Sequence, residues 1–174
     1  MTSAQAELFE FLQRSAPTPA AKMLLKRTME QFVLEHGWWY DPVELPVEIS
    51  RGKVQHCHKN AADLILADKS LIYCEGYALF KPGSQPTLHS WVTDGNGRAI
   101  DNTWPNPGVA YAGVPFKGLF VSMTALKNRA TISLIDDWQN SYPLRGELGD
   151  RPDEWMELKG SGLARLMEME ATGQ

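Results

Sequence analysis

The 174-residue chain contains only two cysteines, Cys57 and Cys74, no apolar run long enough to cross a bilayer, and no excess of basic residues. Two cysteines cannot form a disulfide framework, so the core is expected to rest on apolar packing and a reducing cytoplasm is the simplest compartment. A membrane span needs about 20 consecutive apolar residues. No stretch approaches that, and the opening MTSAQAELFEFLQRS lacks the continuous apolar core of a signal peptide. A membrane is therefore not an expected partner. Lys and Arg number 17 against 21 Asp and Glu, a net charge of -4. Phosphate binding needs a basic footprint, so nucleic acid is not expected either. Internal repeats and low-complexity segments are also missing.

What remains is the composition of a globular protein, long enough to bury roughly two thirds of its unfolded surface. We read one domain over 1–174, with an N-terminal helical segment at 3–36, a core at about 37–140 and a C-terminal extension at 141–174. Leu8, Phe9, Phe11 and Leu12 are spaced for a short amphipathic helix over 4–14. Thr18-Pro19 is a start signal for a second helix running to about His36, with Ala20, Met23, Leu24, Phe32 and Val33 apolar and Gly37 as its stop. WWYDPVELPVEIS reads as extended chain, because Pro42 and Pro46 oppose helix, and its Trp pair reads as packing. CHKNAADLILAD returns to a helical pattern, with Cys57, Ala61, Leu64 and Ile65 on one side.

SLIYCEGYALF has the two-sided apolar character of a central strand, with Glu75 its exception. A charge there is costly unless paired, so Glu75 has a buried partner or stands at a cleft edge. Residues 87–93 and 98–104 form a hairpin around DGNG. GLFVSMTAL reads as a strand leading into a turn or helix, ATISLIDDWQN fits either state, and the polar tail from Tyr142 ends in a frayed helix. Helices followed by strands indicate an α+β fold, with N-terminal helices and the Cys57 helix packed on an antiparallel β-sheet.

Chemistry concentrates in three residues. Cys57 opens a helix, where unpaired N–H groups and the macrodipole favour a negative charge such as a thiolate or an oxyanion. No Ser, Thr, Asp or Asn stands just before it to cap those groups. His89 and Asp101, on the two arms of the hairpin, supply a base and a carboxylate to orient it, which completes the roles of a nucleophilic triad. Strand side chains alternate, so the turn decides whether the two can meet. A two-residue loop at Gly95-Asn96 would set His89 opposite Asn102 and turn Asp101 away. A three-residue or bulged turn within Asp94–Gly97 would bring His89, Trp91 and Asp101 to one face, with a ring nitrogen roughly 3 Å from the carboxylate.

The segments C57HKNA, H89SW and D101NTW resemble the core of the transglutaminase-like branch of the papain-like cysteine hydrolases, over residues 50 to 105. That branch pairs a helix-opening cysteine with H-x-W and then D-x-T-W. Asn102 stands where proline is common, and QHCH replaces the usual small residues before the cysteine. The resemblance implies a papain-like α+β fold, catalytic Cys57, His89 and Asp101, no cofactor, and acyl transfer from an amide of a protein or peptide substrate. The chain is far shorter than animal cross-linking transglutaminases, which implies a minimal bacterial or phage-type member. Gln55 is a candidate oxyanion donor, since papain-like enzymes use a glutamine upstream of the cysteine. Trp91 and Trp104 are candidate walls around the imidazole, Trp91 with a possible substrate contact, and Asn60 reads as structural.

Two other readings remain open at this stage. One is a binding or structural protein that keeps this fold without activity. The other is a metal site built from His56, Cys57, His58 and His89, ligand types that suit zinc. Three consecutive residues at a helix start diverge, however, and neither C-x-x-C nor H-x-x-x-H spacing occurs. Hydrolysis is the default second half-reaction, because water is the ubiquitous acceptor; deamidation and amine transfer stay open, as does the oligomeric state.

Overall fold

A computed structural model describes residues 1–16, 27–159 and 164–167. Two N-terminal helices, α1 (Ser3–Ser15) and α2 (Met29–His36), open with the same device. In each, a threonine N-cap accepts from the backbone N–H of a glutamine three residues on, and that glutamine side chain returns the bond: Thr2 with Gln5, Thr28 with Gln31. The capping box at Thr28 starts α2 at Met29, a turn and more later than a helix begun at Thr18-Pro19 and continuous to His36 would require. Thr18-Pro19 itself, with Ala20, Met23 and Leu24, lies outside the described residues, as does the end of the tail beyond residue 167.

Five strands follow: β1 (Trp38–Pro42), β2 (Ile72–Leu79), β3 (Thr87–Thr93), β4 (Arg98–Ile100) and β5 (Ala110–Phe116). They close into a barrel in the order β1-β4-β3-β2-β5, with β5 returning to β1. The fold is α+β, as expected, but the sheet is mixed instead of antiparallel, because β1 pairs with β4 in parallel, and it closes into a barrel. Closure removes the unpaired edges that an open sheet would leave. The helix α3 (Cys57–Ala67) joins β1 to β2, and α4 (Gly118–Asn128) follows β5. GLFVSMTAL therefore belongs to a helix, not a strand. The second arm of the hairpin ends at Ile100, and the chain from Asp101 to Thr103 is irregular.

Strand alternation divides the buried residues into two sets. Tyr40, Cys74, Ala78, Trp91, Ala99 and Tyr111 pack with one another inside the barrel, and Gly113 makes room there: a Cβ on it would stand 2.5 Å from the Trp91 ring. The alternate residues, among them Tyr73, Tyr77, Val92, Ala112, Val114 and Phe116, face outward into the larger core shared with the helices. Ala61 and Ile65 of α3 and Leu8 and Leu12 of α1 complete that layer. Trp155, on the short helix α5 (Pro152–Trp155), closes it against Phe32 and Phe116, at ring separations of 5.2 and 5.6 Å. Among the described residues no helix is long and apolar enough to cross a membrane.

Candidate active site

The hairpin turn sets the geometry. Val92 pairs with Ile100 and Thr93 with Ala99, so Asp94 stands opposite Arg98 and three residues make the loop. Gly97 N–H closes the turn on the Asp94 carbonyl at 3.3 Å, and Gly97 itself takes φ +72°, the left-handed conformation glycine adopts most cheaply. The Asp94 carboxylate holds the loop by accepting from Asn96 N (2.9 Å), Arg98 N (3.2 Å) and Arg98 Nε (2.6 Å). With an odd loop, His89, Trp91 and Asp101 fall on the barrel-interior face. His89 Nε2 lies 2.8 Å from Asp101 Oδ2, both side chains buried.

Asp101 is held from three further directions. Thr103 N donates to Oδ1 at 2.8 Å, Trp104 N more weakly at 3.4 Å, and the Tyr111 hydroxyl donates to Oδ2 at 3.0 Å. Burial opposes the carboxylate charge, yet His89, the Thr103 N–H and Tyr111 outweigh it and keep the group below the usual carboxylate range. For His89, burial favours the neutral ring, but its bonds to Asp101 and to the Cys57 thiol prevail and raise it from 6.5 to about 9. Trp104 covers the imidazole, nearly parallel to it at 15° with centroids 4.2 Å apart.

Cys57 is half-buried at the first position of α3. His56 is the N-cap and its side chain makes no capping bond, so no side chain competes for the N–H groups around the thiol. Cys57 is near enough to His89 to help raise the proton affinity of the ring; with Nε2 given to Asp101, Nδ1 is the nitrogen left to serve the sulfur. The loop ahead of α3 is latched by Asn60, which accepts from Lys53 N (3.1 Å) and donates to Lys53 O (2.8 Å) and Thr103 Oγ1 (2.8 Å). One buried amide thus ties the cysteine loop to the aspartate loop. A Cβ on Gly52 would stand 2.2 Å from this side chain, so the loop needs glycine there.

The other sequence candidates separate. Gln55 is exposed in the turn before α3, with φ at 65°, a conformation uncommon outside glycine. Trp91 is 1% exposed inside the barrel, in T-shaped contact with Tyr40 and Tyr111. Trp104 stacks on the imidazole. Glu75 is fully buried and partnered: Tyr73 Oη donates to it at 3.1 Å, Leu134 N at 2.9 Å, Ile135 N at 3.2 Å, and Ser133 Oγ also donates. Sequence reasoning missed Tyr111, which arrives on β5, a strand it did not mark. Among the described residues no group of three or more His, Cys, Asp or Glu side chains is arranged to hold a metal ion. A cavity of about 380 Å³ lies at the far end of α3, between Ile65, Lys69, Phe116 and Leu119, and shares no wall with these residues.

No known family model, curated protein or solved structure matches the chain.

Proposed function

We propose that the protein is a transglutaminase-like thiol enzyme with a papain-like arrangement of helix and sheet, acting on an amide of a protein or peptide substrate in the cytoplasm. The observation that carries this reading is a single imidazole, buried and paired with a carboxylate at 2.8 Å, whose proton affinity is also raised by a neighbouring cysteine at a helix start without a side-chain cap. His89 takes the proton of Cys57 and leaves its sulfur as the nucleophile. The sulfur attacks the amide carbonyl, and the oxygen takes the charge beside the free N–H groups of the first turn of α3. His89 then gives its proton to the leaving amine as the C–N bond breaks, leaving a thioester on Cys57. Water or an amine attacks that thioester, its proton is removed, and the Cys57 sulfur leaves. Asp101 fixes the ring and balances its charge without itself taking a proton.

The test is acylation by p-nitrophenyl acetate, an activated ester that does not require the natural substrate to be known. The reading expects a burst of p-nitrophenol and an acetyl group on Cys57, located by peptide mass spectrometry, with both lost in Cys57→Ala. A wild-type protein without a burst, or a burst that survives Cys57→Ala, would contradict it and favour a binding protein on the same fold.

A further inference from the structure

The rim of the site carries a cation that the acyl transfer does not use. Arg51 stands in the loop ahead of α3, and hydrogen bonds hold that loop to the aspartate loop. Gly52 N donates to Asn102 O at 2.8 Å, Asn102 Nδ2 donates to Ser50 O at 3.4 Å, and Arg51 Nη1 donates to the Trp104 carbonyl. Trp104 is the residue whose ring stacks on His89, with centroids 4.2 Å apart. The guanidinium is thus fixed to the backbone of the residue that covers the imidazole. Its side chain is exposed, and among the described residues its Nε–Nη2 edge has no partner.

The charges around it are of one sign. Arg14, Arg27, Arg98, Arg145 and Arg151 each form an ion pair, whereas among the described residues Arg51 forms none. Apart from the buried Asp101 and Glu75, segments 49–62, 72–93 and 101–110, which carry Cys57, His89 and Trp104, hold no acidic residue. Arg51, Lys53, Lys59 and Lys81 lie in these segments and are exposed, and Lys59 meets Asp63. In a chain of net charge -4, this is a local field that favours an anion. An aromatic surface adjoins the guanidinium. Phe80, directly after β2, is 38% exposed and meets the half-buried Trp104 ring at 78°, with centroids 5.2 Å apart.

We propose that Arg51 is a specificity-determining residue for a substrate that carries a carboxylate, with Phe80 and Trp104 as the surface for an apolar side chain beside it. The assignment rests on the thiol-enzyme reading and names its substrate class: a peptide with an acidic side chain or a free C-terminus near the amide that Cys57 attacks. Arginine suits this role because its planar fork gives parallel N–H bonds to both oxygens of a carboxylate. The Trp104 carbonyl holds the fork before substrate arrives, so less side-chain freedom is lost on binding.

The experiment is protection of Cys57 from iodoacetamide by peptides, each labelling rate divided by that of the same protein without peptide. Acetyl-Phe-Glu-amide carries its carboxylate on a side chain, acetyl-Phe-Gln carries it at the C-terminus, and acetyl-Phe-Gln-amide has none. A charged peptide should half-protect at a concentration about fivefold below the neutral one, the scale of an exposed ion pair of good geometry. The better of the two charged peptides identifies the source of the carboxylate. Arg51→Gln, whose amide still donates to a carbonyl, should bring the peptides together. If that variant does not fold, Arg51→Lys takes its place and should lower the ratio, because an ammonium meets a carboxylate as a point charge. Phe80→Ala should weaken protection by every phenylalanine peptide. Equal protection by charged and neutral peptides, a ratio undiminished in the Arg51 variant, or protection unaffected by Phe80→Ala would overturn the proposal. Absence of the p-nitrophenyl acetate burst marks failure of the thiol-enzyme reading, whereas a burst without the peptide difference marks failure of the Arg51 assignment alone.

Discussion

Strand β3 separates two chains made of similar parts, and they are built for different work. On the inner face a carboxylate meets an imidazole directly, Asp101 to His89 at 2.8 Å, and the Cys57 thiol adds to the proton affinity of that ring. On the outer face the carboxylate of Glu75 is 3.6 Å from the His58 ring, with the hydroxyls of Ser90 and Tyr73 between them. Glu75 also holds the backbone N–H groups of Leu134 and Ile135, so much of its charge is spent on fixing a loop. Direct contact raises the proton affinity of a histidine, as it does for His89. Contact through hydroxyls sets which nitrogen carries the proton. The inner chain is arranged to hold charge and the outer one to hold orientation.

The contrast predicts different losses when each carboxylate is altered. Asp101→Asn keeps the shape of the side chain but removes the anion facing His89, and the acylation rate should fall by about 10²–10⁴-fold, with a smaller loss of stability than Glu75→Ala gives. Glu75→Ala strands the buried N–H groups of Leu134 and Ile135 and the Tyr73 hydroxyl. It should cost about 3 kcal/mol or more of stability, read in urea unfolding. If Asp101→Asn were the destabilised variant and Glu75→Ala the stable one, the division of labour would be reversed.

A smaller effect separates the chains by pH. His89 is raised in the folded state from 6.5 to about 9, so in that window the folded protein binds more protons than the unfolded chain. The stability contributed by His89 is complete below pH 6.5 and is lost as pH rises through about 9. Urea midpoints should therefore decline across this window in the wild type, and His89→Gln should flatten the decline. An undiminished slope in that variant would assign the titration to another group.

The inner chain was legible in the sequence because its spacing is local. DGNG supplies residues that accept positive φ, and the resulting odd loop places His89 and Asp101 on one face, as the three-residue turn of the structure does. Asn60 was also readable as structural, although its grip on both Lys53 and Thr103 was not. The T-M-E-Q capping box that starts α2 stood in the sequence and was passed over in favour of Thr18-Pro19. β5 escaped notice because AYAGVPF contains glycine and proline, both poor strand formers, and is held by pairing on both sides. α4 was misread because GLFVS offers an apolar run without clear period, and its Leu119, Met123 and Leu126 are exposed. The parallel pairing of β1 with β4 and the whole outer chain depend on partners far apart along the chain, which no local pattern encodes.

The most direct test of the central claim, that Cys57 is activated by His89, is the rate of iodoacetamide labelling at each cysteine, resolved by peptide mass spectrometry near neutral pH. Cys74 is fully buried inside the barrel, and burial pushes its thiol well up, so it should remain unlabelled in the folded protein. Cys57 should react, and His89→Ala should slow it by about tenfold or more, because the imidazolium that stabilises the thiolate is gone. A Cys57 that reacts as fast in His89→Ala as in the wild type would contradict the account, and would mark it as a merely accessible thiol.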